Sequence, residues 1–286
     1  MNTAAFCVLL LSAFIHASWN YLSKKAGGGI AFIWLFTAIA AVFYCPLAIG
    51  VILYEKPDIG LWEIILIIAS ILVHLGCFLV LQKGYKIGDL SLVYPIARGT
   101  GPLLTCILAV IIFHEKLTLF TFIGILLIMA SILFFTGGMK KLKEEGALIP
   151  ILYGLAVGAI IAAYTILDKA AVSHFLIPPL LLDYCNTIGR LIILTPFAVK
   201  NWNDVRAEWN NHRLEAAGVG IFNSLAYILA LGVMVFAPVS HVAPIREISI
   251  LIGTIMGSVL LSEGFGRVRV IAAFLMVLGV ISVAAG

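Results

Sequence analysis

The chain has 286 residues, of which 63% are hydrophobic and 11% charged, against roughly 45–50% apolar and about 25% charged in a soluble domain. That balance excludes a water-soluble fold, which has too little interior to hide so much apolar surface. The net charge is +4, but the basic residues recur between apolar stretches instead of forming a patch, so they report orientation in a lipid bilayer and give no reason to expect a nucleic-acid partner.

A helix crosses a hydrocarbon core of roughly 30 Å with about 20 apolar residues, and ten such runs follow one another. Run 1, Thr3 to Ser23, lacks the basic leader of a cleaved secretory signal and is read as the first membrane helix, with His16, Trp19 and Asn20 on adjoining faces. Run 2 spans Ile30 to Tyr54, and run 3, Gly60 to Gln82, carries His74. Run 4, Leu90 to Phe113, holds Tyr94, Pro95, Arg98 and Pro102; run 5, Leu117 to Gly138, closes the first half. Run 6, Ala147 to Leu167, contains Tyr164, and run 7, Phe175 to Val199, has Asp183 and Arg190 two turns apart on one face, read as a local polar patch. Run 8, Ala216 to Phe236, carries Asn223. Run 9, Val239 to Leu261, holds Pro244, Arg246, Glu247 and the pair Gly253 and Gly257, whose GxxxG spacing suits close helix packing. Run 10, Val270 to Ala285, is short, and Arg267 and Arg269 extend it by snorkelling. The five cysteines all lie inside runs without a CxxC pair and are read as small buried hydrophobes.

An internal repeat joins runs 4 and 9. Ser91 to Ile96 matches Ser240 to Ile245 at four of six positions with an offset of 149, and nearly the same register pairs Pro46 with Pro196, His74 with Asn223, Glu115 with Glu263 and Lys25 with Lys169. The first repeat is residues 1–138, a basic connection is 139–146, and the second repeat is 147–286. Five crossings per repeat is an odd number, so the second repeat enters the membrane from the opposite side. The fold class expected is therefore an all-α integral membrane protein of ten transmembrane helices in two inverted five-helix repeats. Inverted repeats are a recurring plan of secondary transporters, with the site near the midplane between the halves.

Charge at membrane depth costs roughly 2.5–3.5 kcal/mol on insertion scales, so ionisable groups there are functional candidates. At 1.5 Å per residue, Arg98 lies about 12 Å into its helix and Arg246 about 10 Å into its own, from opposite faces. Both approach the midplane. Arg98 and Glu247 occupy repeat-equivalent positions with opposite charge, which suits either a substrate site or an ion pair locking the halves together. The two arginines against Glu247 leave a net positive cavity, favouring an anionic or zwitterionic small-molecule substrate, because a guanidinium grips carboxylate and phosphate-type groups with two parallel hydrogen bonds. Glu247 is the favoured proton carrier, since no phosphate-cradling loop is present to use ATP. No cofactor motif, HExxH or GxSxG elbow occurs either. An intramembrane enzyme and a non-transporting membrane scaffold are the alternatives.

Residues Gly88 to Pro102 running into Glu115-Lys116-Leu117, their counterpart from Ala237 through Pro244-Ile245-Arg246-Glu247 to Glu263, the opening His16 to Asn20, and Ile161 to Thr165 together resemble the EamA-type members of the drug/metabolite transporter superfamily. The resemblance covers nearly the whole chain. It implies that helices 1, 3, 4, 6, 8 and 9 line a central cavity, with helices 2 and 7 outside them and helices 5 and 10 supporting. It also implies a substrate among amino acids, nucleotide sugars, drugs or phosphorylated metabolites, phosphonates included. Its binding residues would be Arg98, Arg246, Glu247, His16, Trp19, Asn20, His74, Tyr94, Asn223 and Tyr164. Many members have both termini in the cytoplasm. Here twelve basic residues lie in alternate connections, against Lys56, Lys116 and Lys169 on the other side. By the positive-inside rule this bias places both termini outside the cell membrane.

Overall fold

The computed structural model describes residues 2–27, 29–87, 90–136, 148–260 and 267–286, and these contain helices and no strand. In chain order they are α1 (Thr3–Ala26), α2 (Ile30–Glu55), α3 (Leu61–Ile87), α4 (Leu90–Phe113), α5 (Leu119–Thr136), α6 (Leu148–Ser173), α7 (Pro179–Lys200), α8 (Trp202–Met234), α9 (Val239–Arg246), α10 (Ile248–Leu260) and α11 (Arg267–Ala285). Eight spans are long and apolar enough to cross a membrane, and shorter apolar helices at Leu119–Phe134 and Val270–Ala285 bring the number to ten.

Local chemistry sets the ends of these helices. Asn2 starts α1 by accepting the Ala5 N–H at 2.7 Å. Gly27, at φ 62°, ends it with its N–H on the Ser23 carbonyl, a left-handed turn that costs glycine no Cβ clash. Helices α9 and α10 are halves of one span, broken at Glu247. Pro244 cannot donate to the Ser240 carbonyl, and Cys106 Sγ of α4 approaches that carbonyl at 3.4 Å instead. Cys106 is buried as expected, whereas Cys7 is exposed on the outer face.

Two element boundaries differ from the hydropathy runs. The stretch read as a connection after run 7 is helical: α8 begins at Trp202 and kinks at His212 (φ −133°). Its first turns are amphipathic, with Val205 buried and Trp202 edge-on to Trp34 at 5.7 Å. Helix α6 continues past Leu167 through Asp168 and Lys169 to Ser173, because both charges find partners inside the bundle.

The halves interleave. Helix α5 packs along α11, α4 along α6, and α1 along α8, so each of these extensive contacts joins the first repeat to the second. Small residues make the approaches. A Cβ on Gly124 would stand 2.6 Å from the Gly279 carbonyl, and one on Gly279 would stand 2.8 Å from the Gly124 carbonyl. On α6, a Cβ at Gly154 would meet Ile96 at 2.8 Å, and one at Gly158 would collide with Thr100. The expected close packing at Gly253 is not seen, since a Cβ added there would meet the Ala17 methyl at 3.9 Å, an ordinary contact; the Gly257 environment lies outside the described residues.

Candidate functional site

A cavity of about 330 Å³ inside the bundle is lined by Trp19 and Ser23 of α1, Ile33 and Phe36 of α2, Ile71, His74, Leu75 and Phe78 of α3, Asn186, Arg190 and Leu194 of α7, and Asn223 of α8. It draws on both repeats. Ser23 lies in the last turn of α1 and Ile33 in the first turn of α2, so the cavity runs from mid-membrane to the end of the bundle where these helices connect. Helices 2 and 7 therefore line the cavity, contrary to the expectation that they stand outside it. The reason lies in α7, whose polar face of Asp183, Asn186 and Arg190 needs an interior to face.

Arg98, Arg246, Glu247, His16 and Tyr164 gather around a second, small space of about 20 Å³, with Ser12, Thr105 and Thr165. That is room for about one water molecule. The Arg98 guanidinium stands 3.1 Å from the Glu247 carboxylate, and the Arg246 guanidinium carbon lies 5.1 Å from the centre of the Tyr227 ring, within cation–π range. The ring of His74 stacks on Tyr164 with centroids 4.1 Å apart, and so joins the two spaces.

Beneath both lies a polar cluster around Asp168, a fully buried carboxylate. Ser70 Oγ reaches its Oδ1 at 2.6 Å, His74 Nε2 stands 2.9 Å from its Oδ2, and the Tyr227 hydroxyl donates a very short hydrogen bond to the same oxygen. Asn186 Nδ2 extends the cluster by donating to Ser70 Oγ at 3.0 Å.

With this geometry in hand, comparison with known proteins is direct. The sequence matches the EamA-like transporter family twice, over residues 3–137 and 148–285. The chain belongs to the EamA-like transporter family. A solved crystal structure, 15% identical in sequence, superposes on this transporter over 100% of its chain and 99% of its own, with a TM-score of 0.78, a likeness of fold. No curated protein matches the sequence.

The candidate residues of the transporter thus fall into separate groups. Trp19, His74 and Asn223 line the large cavity. His16, Tyr164, Arg98, Arg246 and Glu247 line the small one. Asn20 is exposed and donates to the His16 carbonyl at 2.8 Å, outside both, and the Tyr94 side chain lies outside the described residues. Arg190, read as a local polar patch, borders the large cavity. Asp168, Tyr227 and Asn186 were not singled out from the sequence. Asp168 lay just beyond run 6, and Lys169 was assigned to a connection. The Lys169 Nζ is in fact buried, donating to the carbonyls of Met234 at 2.6 Å and Ala237 at 3.0 Å at the end of α8.

Proposed function

We propose that this transporter is a secondary carrier moving a small anionic or zwitterionic metabolite, amino-acid-like or phosphonate-like, by alternating access through the space between its repeats. The observation that carries the reading is the cavity of about 330 Å³, drawn from both repeats and holding one guanidinium among apolar and amide side chains. Its volume is at the lower end of ligand pockets, roughly 300–1,000 Å³, and suits a small metabolite. The cavity extends toward the end of the bundle where α1 and α2 connect. Toward the other end, Lys169 ties α6 to the end of α8, and Glu115 ties the α4–α5 connection to the start of α9. Exchanging these closed and open ends is the motion that alternating access requires.

Energy comes from an ion gradient, because no phosphate-cradling loop is present. Protons are the coupling ion, with Glu247 as carrier: protonation removes the charge that holds Arg98 across the boundary between repeats. The test is uptake into proteoliposomes of labelled amino acids and aminophosphonates under an imposed pH gradient. Saturable, ATP-independent uptake is expected. In Glu247→Gln, gradient-driven uptake is expected to disappear while counterflow exchange survives. Equal loss of both in a folded variant would remove the proton role, and absence of saturable flux would remove the transport reading of these substrates.

A further inference from the structure

Three arginines lie at membrane depth in this bundle, and their surroundings differ. Arg98 is engaged by Glu247 at 3.1 Å. Arg246 lies over the Tyr227 ring beside a space of about 20 Å³, too small for a metabolite. Arg190 alone of the three lines the cavity of about 330 Å³. Among the described residues no carboxylate comes within the 4.0 Å of an ion pair with it. Asp183, two turns earlier on α7, attracts the guanidinium from beyond that distance.

The Arg190 guanidinium is half-buried and faces the cavity, so a charge partly withdrawn from water stands ready for a counter-charge that an occupant of the cavity would bring. Two more lining residues carry buried polar atoms with no hydrogen-bond partner: the indole Nε1 of Trp19, a donor, and the amide Oδ1 of Asn186, an acceptor. Buried polar groups are nearly always satisfied, so each exception calls for a partner, and one donor and one acceptor facing the same cavity are met together by an occupant with polar atoms. The rest of the wall is Ser23, His74 and Asn223 together with Ile33, Phe36, Ile71, Leu75, Phe78 and Leu194, and these six apolar side chains make a surface that favours hydrocarbon.

We infer that Arg190 is the anion anchor of this transporter, and that its ligand is an organic anion with an apolar body, the carboxylate or phosphonate head on the guanidinium and the body against the wall of α2 and α3. This rests on reading the cavity as the substrate site. It assigns the anionic head to α7 and leaves Arg98 to tie the repeats together through Glu247. The planar, two-pronged guanidinium gives the preference for a head with two parallel acceptor oxygens.

The test uses compounds of one shape and different head charge. Binding of benzoate, phenylphosphonate, benzamide and benzylamine to the purified full-length protein is measured by calorimetry in nanodiscs of zwitterionic phosphatidylcholine, which does not itself select anions. Wild type is expected to bind benzoate or phenylphosphonate at least tenfold more tightly than benzamide or benzylamine, and the better of the two anions names the head. Arg190→Gln is expected to lose at least tenfold for that anion with benzamide unchanged, and Arg190→Lys, which keeps charge but not the fork, to fall between. If Arg190→Gln fails to fold, the wild-type series decides alone. The inference is overturned if benzylamine or benzamide binds as well as the anions, if neither anion binds, or if folded Arg190→Gln binds them like wild type. Saturable flux of another solute alongside failed anion binding would sink this assignment and spare the transport reading; anion binding with no flux of any panel member would do the reverse.

Discussion

Asp168 shows how one polar side chain is accommodated inside an apolar bundle. Its two oxygens meet Ser70 Oγ at 2.6 Å, His74 Nε2 at 2.9 Å and the Tyr227 hydroxyl, so the carboxylate exchanges water for donors from α3 and α8. A buried hydrogen bond is worth about 0.5–1.5 kcal/mol net, and a donor left without its acceptor costs about 1–3 kcal/mol. Asp168→Ala is therefore expected to destabilise by about 3 kcal/mol or more, and Asp168→Asn, which keeps one acceptor oxygen and the shape, by roughly half as much. Thermal unfolding in nanodiscs measures both; an alanine variant as stable as wild type would show that the cluster carries no stability. This residue was illegible in the sequence for a physical reason. A hydropathy run ends where charges begin, so Asp168 and Lys169 closed run 6 at Leu167, and only donors and carbonyls from distant helices reveal that they belong inside. His74 was legible because a polar ring stood alone in an apolar run. Arg190 was visible too, but its sequence neighbours hold only Asp183, and the cavity in front of it is built by α1, α2, α3 and α8.

Helix ends and glycines do for the elements what donors do for Asp168. The first N–H groups of α9 have no intrahelical partner, and Glu115 supplies one from the α4–α5 connection, accepting from Val239 N at 2.8 Å and Ser240 N at 3.0 Å. A carboxylate there also complements the positive end of the helix dipole. Glu115→Ala is expected to cost about 1–2 kcal/mol, the range of a lost helix cap, and Glu115→Gln less, since the amide oxygen still accepts; equal losses for the two would remove the capping account. The α5–α11 contact makes a sharper prediction. With carbonyl oxygens 2.6 and 2.8 Å from the Cβ positions of Gly124 and Gly279, valine at either site forces the helices apart, and a loss of about 1–3 kcal/mol is expected from overpacking. An unfolding temperature unchanged in both valine variants would show that the helices are not in contact there. All ten spans were legible because length and apolarity alone define them. The start of α8 was not, since its apolar residues Trp202, Val205 and Trp209 stand three and four apart among charged and amide side chains and never form a run. Pro244 lies three residues before the break in the ninth span, whereas Gly154 and Gly158, which make the close approach on α6, stand among other small apolar residues with nothing local to set them apart.

At the scale of the whole molecule, orientation and symmetry are separate questions. Moving Lys169 from the opposite-side connections into the bundle leaves Lys56 and Lys116 against the twelve basic residues of the other side, which strengthens the expectation of both termini outside. Cysteines introduced near residue 2 and after Tyr54 are expected to react with impermeant reagent in intact cells, and those beside Lys141 and Asn203 only after lysis; the opposite pattern reverses the orientation. Symmetry is reported by the Arg98–Glu247 pair. These residues are 149 apart, the offset of the repeat itself, yet they touch at 3.1 Å. A residue meets its own repeat equivalent only near the axis that relates the repeats, so this ion pair lies close to the pseudo-two-fold axis and joins the halves there. Buried pairs of this kind gain little over a neutral replacement, while removing one partner strands the other charge at a cost of about 3–5 kcal/mol. Arg98→Gln and Glu247→Gln are therefore each expected to destabilise the folded protein, and the double variant Arg98→Gln with Glu247→Gln to be more stable than either single one, approaching wild type. Thermal unfolding of the four proteins in nanodiscs closes the cycle. Destabilisations that simply add would mean that the two charges do not depend on each other, and the pair would lose its place as the tie between the repeats.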